Sequence, residues 1–169
     1  MSTFRPFTCN DFFKFNKINL DLLMETYIML HYIRQLARWP EYCQVAEAPN
    51  GEIMGYIMGK AVGEGENWHG HVSALAVSPD YRRLGLATTF MYFLEDVSEE
   101  KRCYFVDLFV RVSNEVAIGM YTKLGYIVYR TVLKYYADED AYDMRKACSR
   151  DVRRKSMIPV KHPFQAKTK

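Results

Sequence analysis

No stretch of about 18 consecutive apolar residues occurs in the chain, so the sequence offers no candidate for a membrane-crossing helix. Its first residues, MSTFRPFTCND, lack the basic-then-apolar layout of a secretion signal, which makes the cytoplasm the expected compartment. Cysteine is sparse. Cys9, Cys43, Cys103 and Cys148 are scattered without a C-x-x-C pair, which argues against both a zinc site and a disulfide framework and leaves four reduced thiols. No internal repeat is visible, and no Lys-Ser/Thr follows the glycine-containing loop at Gly85, which disfavours a nucleotide P-loop.

What remains is a chain of 169 residues, 49% of them hydrophobic, enough to bury one sizeable core. The net charge of +3 is unevenly held: residues 148–169 carry seven Lys/Arg against one Asp, leaving residues 1–147 net acidic. The expected organisation is therefore one domain over residues 1–147 followed by a basic tail, 148–169, extended or disordered. An acidic body also argues against a nucleic-acid-binding module, whose only support is that tail.

The most informative stretch is residues 71–88, HVSALAVSPDYRRLGLAT. An apolar strand runs through a Pro-Asp turn into a basic, glycine-containing loop that opens a helix. In Arg82-x-x-Gly85-x-Ala87 the small residues let backbone N–H groups approach a ligand, and the helix aims its unpaired N–H groups and positive dipole end at the same point. Such a loop is an anion cradle suited to a phosphate.

Around it the chain alternates in type. Residues 4–8 read as a strand, and Asn10 and Asp11 as a cap for a helix carrying Phe12, Phe13 and Phe15 into the core. Leu22, Leu23, Tyr27, Leu30, Ile33 and Leu36 recur at helical spacing before Pro40 stops the pattern. Asn50-Gly51 marks a hairpin between strands at 43–48 and 53–60. A strand over 69–77 leads to the anion loop, and a helix runs from there to about Lys101. A strand at 104–111, a helix over 115–124 closing at Gly125, and strands at 126–135 and 142–146 complete an α/β fold, with helices covering both faces of a mixed central sheet. On the helix after Asn114, the residues Ala117 and Tyr121 share one face with Asn114.

The loop resembles the acetyl-CoA site of the GCN5-related N-acetyltransferases, Arg/Gln-x-x-Gly-x-Gly/Ala, and VSNEVAIGMYTKLGY at 112–126 is similar to that family's Asn-x-x-Ala-x-x-x-Tyr-x-x-x-Gly-Phe/Tyr segment. The resemblance implies acetyl-CoA as cofactor, with Arg82, Arg83, Gly85, Leu86, Ala87 and Thr88 around the pyrophosphate and Leu75, Ala76 and Val77 beside the acetyl end. It also implies Asn114 along the pantetheine, and Tyr121 at the thioester as proton donor to the leaving thiolate. Four further stretches, FTCNDFFKFNKINLD, ETY, WHGHVSALAVSPDYRRLGLA and YYADEDAYDMRK, look like catalytic subunits of the NatB type of N-terminal acetyltransferase. That likeness implies acetylation of nascent chains beginning Met-Asp, Met-Glu, Met-Asn or Met-Gln. It further implies a large helical-repeat auxiliary subunit docked on the ribosome, and a peptide groove lined by Glu25, Tyr27, Ile28, Tyr135 and Tyr136.

The chemistry asks little of the protein. An α-amine titrates near pH 7.7 to 8.0, so a useful fraction is already neutral, and the enzyme must place it and remove a proton. Backbone N–H on the strand at Leu75 can polarise the acetyl carbonyl. His71 can take the proton, directly or through water, or can instead read an acidic second residue of the substrate. His69 and His71 sit on one strand face, but no third ligand accompanies them, so no metal is expected. One departure stands out: Ile28 follows Glu-Thr-Tyr where the family normally has Gly, and Leu30 stands where Pro is usual. That departure motivates a rival reading, a paralogue that binds acetyl-CoA and the auxiliary subunit without efficient transfer.

Overall fold

The computed structural model describes residues 1–14, 18 and 29–165. Eight strands form one sheet in the order β1-β2-β3-β4-β5-β7-β6-β8. They are β1 Thr3–Pro6, β2 Gln44–Glu47, β3 Ile53–Val62, β4 His69–Val77, β5 Phe105–Arg111, β6 Ile127–Leu133, β7 Ala141–Ala147 and β8 Phe164–Gln165. Three described α-helices accompany them: α1 Met29–Arg38, α2 Leu86–Glu100 and α3 Glu115–Lys123. The sheet is mixed, because β6 pairs antiparallel with β7 and parallel with β8.

The chain divides into two compact units, Met1–Lys60 with Val72–Val97, and Ala61–His71 with Ser98–Lys169. In the first, β1, β2 and β3 pair antiparallel, and Gly51 takes the left-handed φ of 83° that turns β2 into β3. Its core gathers Phe7, Phe12, Tyr32, Leu36, Val45, Ile53, Tyr56, Met58 and Ala76. The Tyr56 ring meets those of Phe7 and Tyr32 edge-on, with ring centres 6.0 and 6.3 Å apart.

One expectation for this unit is corrected. The stretch after Asn10 is a 3-10 turn, Cys9–Lys14, in which Asp11 accepts from the Thr8 N–H and from Arg5 instead of capping an α-helix. Phe12 enters the core, but Phe13 is 76% exposed, because the tight turn puts consecutive phenylalanines on opposite sides. Phe15 lies outside the described residues. In α1 the buried face is Tyr32, Gln35 and Leu36, whereas Leu30 and Ile33 are exposed. Gln35 takes the buried position because its Nε2 donates to Gly59 O at 2.6 Å and to Ser73 Oγ at 3.1 Å.

In the second unit β5 pairs with β7 along its whole length, from Phe105↔Ala147 to Arg111↔Ala141. Gly70 in β4 is tightly packed, since a Cβ there would stand 2.0 Å from Ser98 Oγ. The basic tail, expected to be extended or disordered, is tied down through Gln165. Buried Asp151, its single acid, accepts from the Lys155 and Ser156 N–H groups at 3.0 and 2.9 Å and from Ser156 Oγ at 2.6 Å. Val160 N–H then donates to Tyr129 O at 2.8 Å, and β8 adds to the sheet beside β6. Composition reports charge and proline but not these local hydrogen bonds, which explains the difference.

Candidate active site

In the first unit the site is built at the end of β4. Ser78 N–H donates to Met54 O at 2.8 Å, and a 3-10 turn, Pro79–Tyr81, follows, its Tyr81 hydroxyl donating to Glu52 at 2.9 Å. Arg82 is then extended, while Arg83 and Gly85 take left-handed φ of 63° and 77° before α2 opens at Leu86. Buried Leu86 anchors the helix, and the Thr89 N–H and hydroxyl both return to Gly85 O, at 3.0 and 3.1 Å. No heavy atom lies within 4 Å of the place a Gly85 Cβ would occupy. The backbone is therefore open to close approach beside the first-turn N–H groups of a 15-residue helix, with exposed Arg82 and Arg83 preceding it. These residues fit a pyrophosphate.

Leu75, Ala76 and Val77 form the last residues of β4. Ala76 is buried in the core, and Leu75 and Val77 are half-buried. A Cβ on Gly55 of β3 would stand 2.6 Å from Ala76 O, so glycine there lets β3 run against this part of β4.

In the second unit His71 is the centre of a polar cluster. Its Nδ1 lies 2.7 Å from Asp107 Oδ1, and the other carboxylate oxygen lies 3.6 Å from His69 Nε2. His69 also donates from Nδ1 to Asn67 O at 2.6 Å and stacks on Phe105, with ring centres 4.6 Å apart. Asp107 is only 4% exposed. Burial pushes its carboxyl up, but the hydrogen bond from His71, with the electrostatic effect of His71, His69 and Arg145 beside it, outweighs burial and holds it below the usual carboxylate value. Register places Arg145 of β7 opposite Asp107, and its guanidinium lies between Phe105 and Tyr129, 4.3 and 3.6 Å from their ring centres. Neighbouring Asp143 shifts the other way: burial and the Asp107 charge raise it against Arg145 and Arg130.

An aromatic series extends from His71: Phe109 at 5.5 Å, Tyr135 at 4.6 Å from Phe109, and Tyr136 at 5.1 Å from Tyr135, each between ring centres. Two of the expected peptide-groove residues are thus joined to His71 through Phe109. Glu25, Tyr27 and Ile28 lie outside the described residues.

On α3, Asn114 is the N-cap. Its Oδ1 accepts from the Ala117 N–H at 3.2 Å, which occupies the carbonyl oxygen and not the amide nitrogen. Tyr121 follows two turns later with its side chain buried, and burial pushes its hydroxyl up to about 12. Desolvation disfavours the phenolate, so the buried hydroxyl is kept in its neutral form.

Sequence reading missed Asp107, Phe109 and Arg111. The signal was available, since Asp107 is the one acid in the apolar run FVDLFVR. Among the described residues no group of three or more His, Cys, Asp or Glu could hold a metal ion; His69 and His71 share the Asp107 carboxylate instead.

A strand ending in an open, basic loop at a helix N-terminus is suited to the phosphate of a phosphorylated ligand. Residues 11–126 match the model of the acetyltransferase (GNAT) family. The N-terminal acetyltransferase B complex catalytic subunit NAA20 of Arabidopsis thaliana is 59% identical over 166 residues, 97% of this chain and 95% of that protein. The crystal structure of Chaetomium thermophilum Naa20 in complex with a bisubstrate analogue superposes with a TM-score of 0.91 at 40% identity, covering 96% of each chain. A structure of the NatB acetyltransferase complex bound to CoA and MES gives a TM-score of 0.79 at 39% identity, covering 86% of this chain and 98% of that one. The chain belongs to the acetyltransferase (GNAT) family. Within it, the chain is similar to the catalytic subunits of N-terminal acetyltransferase B.

Proposed function

We propose that this chain is the catalytic subunit of a cytoplasmic NatB-type N-terminal acetyltransferase. It acetylates the initiator Met of nascent chains whose second residue is Asp, Glu, Asn or Gln, and a helical-repeat auxiliary subunit holds it at the ribosome. The observation that carries this reading is the full-length likeness to NatB catalytic subunits, which takes in both the anion loop and the Asn114–Tyr121 helix.

Acetyl-CoA supplies an acetyl group already activated as a thioester. Arg82, Arg83 and the N–H groups from Gly85 to Thr88 hold its pyrophosphate, Asn114 lies along the pantetheine, and the Leu75–Val77 backbone receives the acetyl end. His71 orients the substrate α-amine or takes its proton. Tyr135 and Tyr136, with Glu25, Tyr27 and Ile28, wall the peptide groove. Tyr121 donates to the departing thiolate, a role supported by the likeness of its helix to the family's Asn-x-x-Ala-x-x-x-Tyr segment. No covalent nucleophile is needed, because direct transfer between two bound reactants suffices.

A second reading is favoured by one feature of the sequence, Ile28 in place of the family's usual Gly: an acetyl-CoA-binding paralogue that occupies the auxiliary subunit without efficient transfer. The deciding experiment is acetyl transfer to a Met-Asp peptide by the chain and its Ile28→Gly variant, each with and without a candidate auxiliary subunit. Transfer by the parent chain supports the enzyme. Acetyl-CoA binding without transfer by either form, auxiliary subunit present, supports the paralogue.

A further inference from the structure

We propose that Asp107 is a positioning residue. It locks the His71 ring in the form protonated at Nδ1, so that Nε2 is presented as the proton acceptor for the substrate α-amine. The inference rests on the acetyltransferase reading above and adds to it a residue and a choice between the two roles open to His71.

A carboxylate can only accept, and Asp107 Oδ1 lies 2.7 Å from His71 Nδ1. The opposite tautomer would set two lone pairs against each other at that distance. The proton of neutral His71 therefore sits on Nδ1, and the lone pair is on Nε2. The ring is fixed a second time by Phe109, whose centre lies 5.5 Å away. When Nε2 takes the proton leaving the α-nitrogen, the resulting imidazolium keeps its Nδ1–H on Asp107, and the new positive charge faces a carboxylate already in place. The proton passes to water once the product has left.

A merely structural role accounts poorly for this arrangement. A carboxylate 4% exposed between the apolar residues Val106 and Leu108 costs more than a hydrophobic residue unless a hydrogen bond or an opposite charge compensates it. The groups that face it come from two strands: His71 of β4 gives the hydrogen bond, His69 lies beside the other oxygen, and Arg145 of β7 brings a full positive charge, while Asp143 of β7 is itself pushed up by the Asp107 charge. Of the two histidines only His71 is within hydrogen-bond distance; His69 Nε2 stands off at 3.6 Å.

The test has two arms. The first labels the four histidines of the chain with ¹⁵N and reads ring tautomers by NMR on the full chain, with its auxiliary subunit where the assembly requires it. The His71 signals are identified by their loss in His71→Gln. Neutral His71 protonated at Nδ1 is expected, and neutral His71 protonated at Nε2 overturns the proposal. This arm needs no activity, so its failure is separate from failure of the acetyltransferase reading, which would appear as absence of transfer to any peptide. The second arm is a double-mutant cycle on kcat/KM. Asp107→Asn keeps the shape but offers an N–H, and it is expected to lower kcat/KM about ten- to hundred-fold, as losing the partner that orients a working histidine does. In the His71→Gln background the same change should cost almost nothing. Equal losses in both backgrounds would mean that Asp107 does not act through His71, and would overturn the proposal.

Discussion

The guanidinium of Arg111, at the end of β5, lies over the ring of Tyr136, its central carbon 4.2 Å from the ring centre. Arg111 also pairs with Asp138 at 2.8 Å and Glu139 at 3.3 Å, and Glu139 in turn accepts from the Ser113 N–H and hydroxyl at 2.7 and 2.9 Å. The β6–β7 connection that carries Tyr135 and Tyr136 is thereby clasped to the strand that carries Asp107 and Phe109. Arg111→Ala should loosen the segment that carries Tyr135 and Tyr136, one wall of the proposed peptide groove. The expected outcome is a KM for peptide raised about tenfold, with acetyl-CoA affinity unchanged by calorimetry. Lysine should restore little, because its compact charge reproduces neither the planar stacking nor the fork.

Tyr121→Phe keeps the buried ring and deletes the hydroxyl. Turnover should fall on the order of 10²-fold with acetyl-CoA affinity near that of the parent, since only the departing thiolate loses a partner. Equal kcat in variant and parent would remove Tyr121 from the mechanism.

Gly55→Ala tests how closely β3 must approach the end of β4 proposed to receive the acetyl group. The added Cβ would meet Ala76 O at 2.6 Å, so the backbone near Leu75–Val77 must shift. A loss of about 1 to 3 kcal/mol, read as a lower Tm, should come with a larger proportional fall in kcat than a peripheral substitution of equal stability cost.

The Asp151 staple predicts how the tail behaves. Burial raises its carboxyl, but hydrogen bonds from Ser156 and Lys155 and the Lys155 charge hold it lower overall. A carboxyl depressed in the folded state stabilises fully above the ordinary Asp value of about 3.9, and that contribution is lost as pH falls through the lowered folded value. Limited trypsin digestion at neutral pH should therefore cut Asp151→Ala after Arg153, Arg154 or Lys155 far faster than the parent. Equal cleavage rates would mean that the tail is held by other contacts.

Much of this architecture was legible in the residues. The strand His69–Val77, the Asn50-Gly51 hairpin and the helix capped at Asn114 follow from alternation, turn chemistry and capping, all of which are local. The loop at Gly85 was legible too, because its left-handed φ needs a residue type that can be read directly. What escaped depends on register. That Asp107 would meet His71, or that Arg145 would lie between Phe105 and Tyr129, depends on strands 36 and about 40 positions apart coming into line, which no single stretch records. The buried face of α1 depends on distant partners in the same way: Gln35 is buried where Gly59 O and Ser73 Oγ accept from its amide.

Selection of an initiator Met followed by an acidic or amide residue, as proposed, is tested most directly by kcat/KM for Met-Asp and Met-Glu peptides against Met-Leu and Ser-Ala peptides of matched length. Buried polar groups left without their partner cost about 1 to 3 kcal/mol, so Met-Asp and Met-Glu should be preferred by at least about tenfold. Preference for Met-Leu or Ser-Ala would contradict the account and assign the chain a different N-terminal specificity.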